Sequence, residues 1–173
     1  MKKPTDAPQT EDLKKLINDF RDEIAFLRTI PMFDEVGDVE LARLCQVTAR
    51  RQYPAGSVLL AEGDFNDALY LVREGTVGLF HPAAAPKPFI ELGRGRFFGQ
   101  VSMFDPAPSS ATVRSCTDVE VMCLRARPLS DLFIQHPGTA TRLLMAIIQD
   151  LAKRHRAMLQ RVKDQPFVER HHL

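Results

Sequence analysis

The chain has 173 residues, 45% of them hydrophobic and 26% charged, with a formal net charge of +1. This describes one ordinary globular domain with appendages and a sizeable core, with no global charge to draw it to nucleic acid or to a membrane surface. Three cysteines, Cys45, Cys116 and Cys123, are odd in number and lack metal-type spacing. Free thiols in a reducing, bacterial cytoplasmic setting are therefore expected rather than disulfides. The start, Met1-Lys2-Lys3-Pro4-Thr5-Asp6, lacks the apolar run of a signal peptide, and no stretch is long and apolar enough for a membrane span.

In chain order, residues 1–9 are polar with two prolines and predict a loose tail, followed by an N-terminal helical region over 10–49. A helix starts at Thr10, with Glu11 and Asp12 favoured in its first turn by the helix dipole, and Pro31 ends it. Leu13, Ile17, Phe20, Ile24 and Leu27 form one apolar stripe, suited to the chain's own core or to a partner. A second helical segment spans Phe33 to Ala49, with Val39, Leu41, Leu44 and Val47 apolar. From residue 50 to 126 the pattern changes to strands. Short apolar runs such as Val58–Ala61, Ala68–Val72, Thr76–Phe80, Pro88–Leu92, Ala111–Arg114 and Val119–Leu124 alternate with glycine-bearing turns. Many short strands with regular turn signals predict an antiparallel sandwich or barrel. Gly63, Gly75 and Gly95 are expected at positive φ in those turns.

C-terminal helices are predicted over 127–164, and residues 165–173 form a tail. A short helix over Pro128–Gln135 precedes a long one over Thr139–Lys163, separated by His136-Pro137-Gly138. On the long helix Leu144, Ile148, Leu151, His155, Met158 and Val162 make a coiled-coil-like seam under three heptads long. It suits a homodimer, or alternatively packing against the strand region and the N-terminal helix. The basic residues at the end of this helix, Lys153 to Lys163, complement its C-terminal dipole and need no nucleic acid to explain them.

Inside the strand region, residues 97–113 form an unusual insert: Phe97-Phe98-Gly99-Gln100-Val101-Ser102-Met103-Phe104, two prolines at 106 and 108, then Ser109-Ser110-Ala111-Thr112-Val113. Connections between strands are ordinarily shorter, and a glycine opening a helical turn leaves N–H groups suited to an anion. The insert resembles the phosphate-binding cassette of cyclic-nucleotide-binding domains, roughly F-G-E-x-[SA]-L followed by R-x-A-x-V. The hairpin residues Tyr53–Asp64 and Ala68–Val77 and the lead-in Leu92–Gly99 resemble that family too. The likeness covers about residues 30 to 160. It implies a mainly β fold with flanking α-helices, a jelly-roll β-barrel.

The resemblance implies ligand-binding positions at Phe98, Gly99, Gln100, Val101, Ser102, Ser109, Ser110 and Ala111, with cyclic AMP or cyclic GMP as the ligand class. Two positions depart from the pattern. Gln100 stands where the family has the glutamate that holds the ribose hydroxyl, and Ser109 where it has the arginine that pairs with the cyclic phosphate. A charge-assisted hydrogen bond is worth about 1.5–3 kcal/mol, roughly one to two decades of affinity, so binding is expected to be weak, altered or absent. Arg94, Arg96 and Arg114 are the nearby candidates for a substitute cation. The expectation is a non-enzymatic sensor or regulatory module, dimeric through the last helix and acting on a protein partner. The alternatives are a working cyclic-nucleotide receptor and a ligand-free interaction dimer. The chain ends just past the long helix, so a helix-turn-helix for sequence-specific DNA binding is not expected. His81 is the single histidine of the strand region, too few for a metal enzyme.

Overall fold

The computed structural model describes residues 10–164. The predicted tails at 1–9 and 165–173 lie outside the described residues, as do the side chains of Met158 and Val162. The first helix is not continuous: α1 (Thr10–Asp19) and α2 (Arg21–Leu27) are separated at Phe20, whose φ of −117° and ψ of 24° are not helical. The apolar stripe faces the chain's own core, with Ile24 and Leu27 buried and Ile17 and Phe20 packed against them. A short 3-10 turn at Pro31–Phe33 leads to α3 (Asp38–Gln46). The second predicted helix thus stops early, and the chain enters a strand at Thr48 rather than after Ala49.

That strand, β1 (Thr48–Tyr53), pairs antiparallel with β10 (Val119–Arg125). Its sequence, Thr-Ala-Arg-Arg-Gln-Tyr, lacks an apolar alternation because it is an exposed sheet edge. Between them lie β2 (Val58–Leu60), β3 (Phe65–Asn66), β4 (Ala68–Glu74), β5 (Val77–Phe80), β6 (Ile90–Leu92), β7 (Phe97–Phe98), β8 (Ala107–Pro108) and β9 (Thr112–Ser115). One sheet has the order β1-β10-β4-β7, the second β2-β9-β5-β6, and β3 pairs with β8 in a small ladder. All pairings are antiparallel. The mainly β class with flanking helices is as expected. It takes the form of an open two-sheet roll, because among the described residues no ladder joins the edges of one four-stranded sheet to those of the other. The glycines at 63, 75 and 95 have positive φ, as expected.

The first sheet is buried on both faces. Leu69 and Leu71 of β4, Met122 and Leu124 of β10, and Phe97 of β7 join a core with α2, α3 and the C-terminal helices α4 (Ala126–Gln135) and α5 (Pro137–Asp164). Their alternate neighbours Val72, Val121 and Phe98 join a second core with Val77 of β5 and Val113 of β9. Period-two alternation along a strand sends successive side chains to opposite faces, so each long strand feeds two cores. The long helix begins at Pro137, earlier than Thr139, since proline is suited to the first helical position. It is anchored on α3 by Arg142 Nη1 donating to Glu40 Oε1 at 2.7 Å and by Arg43 Nη1 donating to Thr139 Oγ1 at 2.9 Å.

Leu71 is 1% exposed at the contact between the central strand and the helices. Leu71→Ala should lower unfolding free energy by about 2–5 kcal/mol, the range for a buried leucine leaving a cavity, measured as a lower urea midpoint with unchanged slope.

Candidate ligand-binding site

The insert leaves the first sheet at Phe98 and turns at Gly99, whose φ is +81°. A Cβ there would sit 2.3 Å from the carbonyl oxygen of Ala68 and 3.0 Å from Nδ2 of Asn66. The glycine is therefore required twice, by backbone conformation and by close approach to β4. Asn66 is buried and forms a reciprocal pair with one residue: its Nδ2 donates to the Ala68 carbonyl at 3.0 Å, and its Oδ1 accepts from the Ala68 N–H at 3.1 Å. The neutral amide fixes the strand entry against which Gly99 packs.

Residues 100–104 make one helical turn that is not continued, with Met103 N–H bonding the Gly99 carbonyl at 3.2 Å and Asp105 N–H the Val101 carbonyl at 2.9 Å. The N–H groups of Gln100, Val101 and Ser102 have no partner among the described residues. Met103 is buried in the helical core and ties the insert to the side of the sheet away from the cavity. The chain then forms β8, and Ser109 continues that pairing: its N–H donates to the Asp64 carbonyl and its carbonyl accepts from the Gly63 N–H, both at 2.8 Å. Ser109 Oγ donates to the Ala111 carbonyl at 2.7 Å. That hydroxyl hydrogen is spent on the loop itself, which leaves Ser109 Oγ only acceptor capacity toward a ligand.

These turns enclose a cavity of about 400 Å³. Phe98, Gly99, Gln100, Val101, Ser102, Ser109, Ser110 and Ala111, all eight positions expected from the sequence, line it together. Leu60, Leu79 and Val113 supply apolar wall from the second sheet. Behind Phe98 stands Tyr70, stacked with ring centroids 4.8 Å apart and planes 7° from parallel. Burial, and then the neighbouring Cys123, push the Tyr70 hydroxyl up to about 12, so this support stays neutral at physiological pH.

The three cations considered as substitutes are elsewhere. Arg94 Nη1 donates to the Arg73 carbonyl at 2.7 Å, and its guanidinium lies 5.3 Å from the ring centre of Phe26 on the helical side. Arg114 alternates away from Val113, donates to the Ala83 carbonyl at 3.0 Å and lies 4.6 Å from the Phe80 ring centre. Arg96 is exposed and does not line the cavity. Among the described residues no Lys, Arg or His lines the cavity, whereas Asp105 does. Leu60, Asn66, Leu79, Asp105, Ala107, Pro108 and Val113 also line the cavity and were not among the expected positions; Asn66 and Asp105 are the polar ones. Nothing in the local spacing marks Asn66 as an inward amide or directs Asp105 to the cavity. A second concavity of about 380 Å³, at Gln52, Tyr53, Glu74, Asp118 and Glu120, contains none of the expected site residues.

Residues 50–136 match the family model for the cyclic nucleotide-binding domain. The chain belongs to that family. A cyclic nucleotide-gated potassium channel of Rhizobium etli is 32% identical over 122 residues, which are 70% of this chain and 33% of the channel. A cAMP-dependent protein kinase regulatory subunit of Aspergillus niger is 34% identical over 97 residues, 56% of this chain and 23% of that protein. The chain thus spans a third or less of the length of these relatives. Among solved structures, the N-terminal domain of a transcriptional regulator from Streptomyces coelicolor aligns with a TM-score of 0.67 at 32% identity, over 76% of this chain and 96% of that one. The cavity therefore lies within a cyclic nucleotide-binding domain, and among the described residues no helix is long and apolar enough to cross a membrane.

On the seam of α5, Leu144 is half-buried and Ile148, Leu151 and His155 are exposed. The helix packs on its own core through Leu143, Ala146 and Ile147 instead.

Gly99→Ala should destabilise the domain by about 1–3 kcal/mol from backbone conformation alone, and by more because the Ala68 carbonyl must move. A thermal melt lower by several degrees is the expected reading, with the loss much smaller for alanine at Gly138, where a Cβ meets nothing within 4 Å.

Proposed function

We propose that this chain is a non-enzymatic regulatory module, acting in the cytoplasm, in which the cyclic-nucleotide-binding fold is retained while affinity for cyclic AMP is weak or lost. The observation that carries the reading is the charge content of the cavity wall: among the described residues it includes Asp105 and no cation, with Ser109 at the arginine position and Gln100 at the glutamate position. A cyclic phosphate placed there would exchange water for neutral donors beside a carboxylate. An anion buried without a paired, hydrogen-bonded cation is strongly disfavoured. The reading of a working receptor needs a substitute cation, and Arg94, Arg96 and Arg114 do not line the cavity. The three cysteines, free in the structure, suit a reducing compartment.

Calorimetric titration of the chain with cyclic AMP should give no sub-micromolar affinity. Gln100→Glu combined with Ser109→Arg should raise affinity for cyclic AMP by two decades or more, since two charge-assisted contacts are restored. Sub-micromolar binding by the unaltered chain would refute the reading.

The same module acts through protein contacts, first with a second copy of itself along α5. Support comes from the division of the helix into two faces: Leu143, Ala146 and Ile147 are occupied by the core, and Ile148 and Leu151 are 56% and 37% exposed. Sedimentation should show a dimer, and Ile148→Asp should shift it to monomer without loss of secondary structure. A monomeric unaltered chain at tens of micromolar would remove the dimer from the account.

A further inference from the structure

The polar groups of the cavity suit a ligand different from the one its fold suggests. Phe98 contributes an aromatic wall held in place by Tyr70, and Leu60, Leu79 and Val113 contribute apolar surface. Four polar side chains that line the cavity, Gln100, Ser102, Asp105 and Ser110, have no hydrogen-bond partner among the described residues. Gln100 offers an acceptor and two donors, the Ser102 and Ser110 hydroxyls donate or accept, and a carboxylate at Asp105 offers acceptors only. A pair of carboxylate oxygens fits a ligand that presents hydroxyl donors, and it repels one that presents an anion. Ser109, its hydrogen committed to Ala111, adds no donor for an anion.

We propose that the cavity binds an uncharged, hydroxyl-bearing ligand with a flat ring, of the class of a purine nucleoside, in preference to the cyclic phosphate ester of the same nucleoside. The inference rests on the reading of this cavity as the ligand site of a domain with weakened cyclic AMP binding. The ring packs against the apolar walls and Phe98, Asp105 accepts from a vicinal pair of hydroxyls, and Gln100 pairs with the remaining polar edge. A cavity of about 400 Å³ is within the range of pockets that enclose small ligands. Because the ligand carries no charge, no cation is required, which is what the wall provides.

The test is a calorimetric and thermal-shift comparison of adenosine, guanosine and inosine with cyclic AMP and cyclic GMP, on the unaltered chain and on Asp105→Asn. Asp105 is exposed at the rim and its side chain makes no hydrogen bond to a described residue, so the variant should keep its fold. At least one nucleoside should bind about tenfold or more tightly than its cyclic monophosphate. Asp105→Asn should weaken that nucleoside about tenfold while leaving the cyclic nucleotide equal or stronger, since one substitution removes both an acceptor and a repulsion. A 2′-deoxynucleoside should lose affinity on the unaltered chain and be indifferent to the substitution. Tighter binding of the cyclic nucleotide overturns the inference, and at sub-micromolar strength it overturns the weak-binding reading as well. Silence of all three nucleosides at millimolar concentration overturns the inference alone and leaves that reading standing.

Discussion

A sheet buried on both faces is the constraint on which this molecule depends. β4 and β10 lie at its centre, and their side chains alternate between a core shared with the helices and a core shared with the second sheet. Neither face can slip by one residue without exposing two sets of apolar side chains at once. The two-residue strand β7 inherits that register: Phe97 goes to the helices and Phe98 to the space between the sheets. The direction in which the cassette leaves the sheet is thereby fixed. Gly99 then permits a turn so tight against Ala68 that no side chain fits.

The cassette is in this way attached to both cores. Met103 is buried with the helices while Phe98, Gln100 and Ser109 face the cavity. Its shape is maintained by neutral groups: the Asn66 amide, the Ser109 hydroxyl and backbone pairing with Gly63 and Asp64. None of these needs a bound anion to be satisfied. The frame of the insert is held by these neutral hydrogen bonds, while the N–H groups of Gln100, Val101 and Ser102 stay without a partner among the described residues. The nearby arginines have other employment. Arg73 and Arg94 lie near the Phe26 ring, and Arg114 covers Phe80.

The long helix has a related division of labour. Buried apolar contacts and the Glu40–Arg142 pair fix its first turns to α3, and that leaves a second apolar face exposed among the described residues. Glu40 is itself buried, and Gly37 makes room for it: a Cβ at position 37 would overlap the carboxylate. The position of α5 is thus set by the N-terminal helices and not by the cavity, whose lining includes no residue of α5.

Much of this was legible in the sequence. Short apolar runs between glycine turns marked the strand region, and the resemblance of the Phe98–Val113 insert to the family cassette implied eight positions that line one cavity, a short insert being unable to carry its residues far apart. The exposed edge strand at Thr48–Tyr53 and the break at Phe20 were not legible, since neither has an apolar signature of its own. The sequence by itself determined that glutamine and serine stand at positions 100 and 109: side-chain identity is independent of folding. Only the tertiary structure decided that Arg94, Arg96 and Arg114 stay out of the cavity and that Asp105 lines it. The direction of a side chain depends on strand register and on neighbours distant in the chain, and no local spacing contains that information.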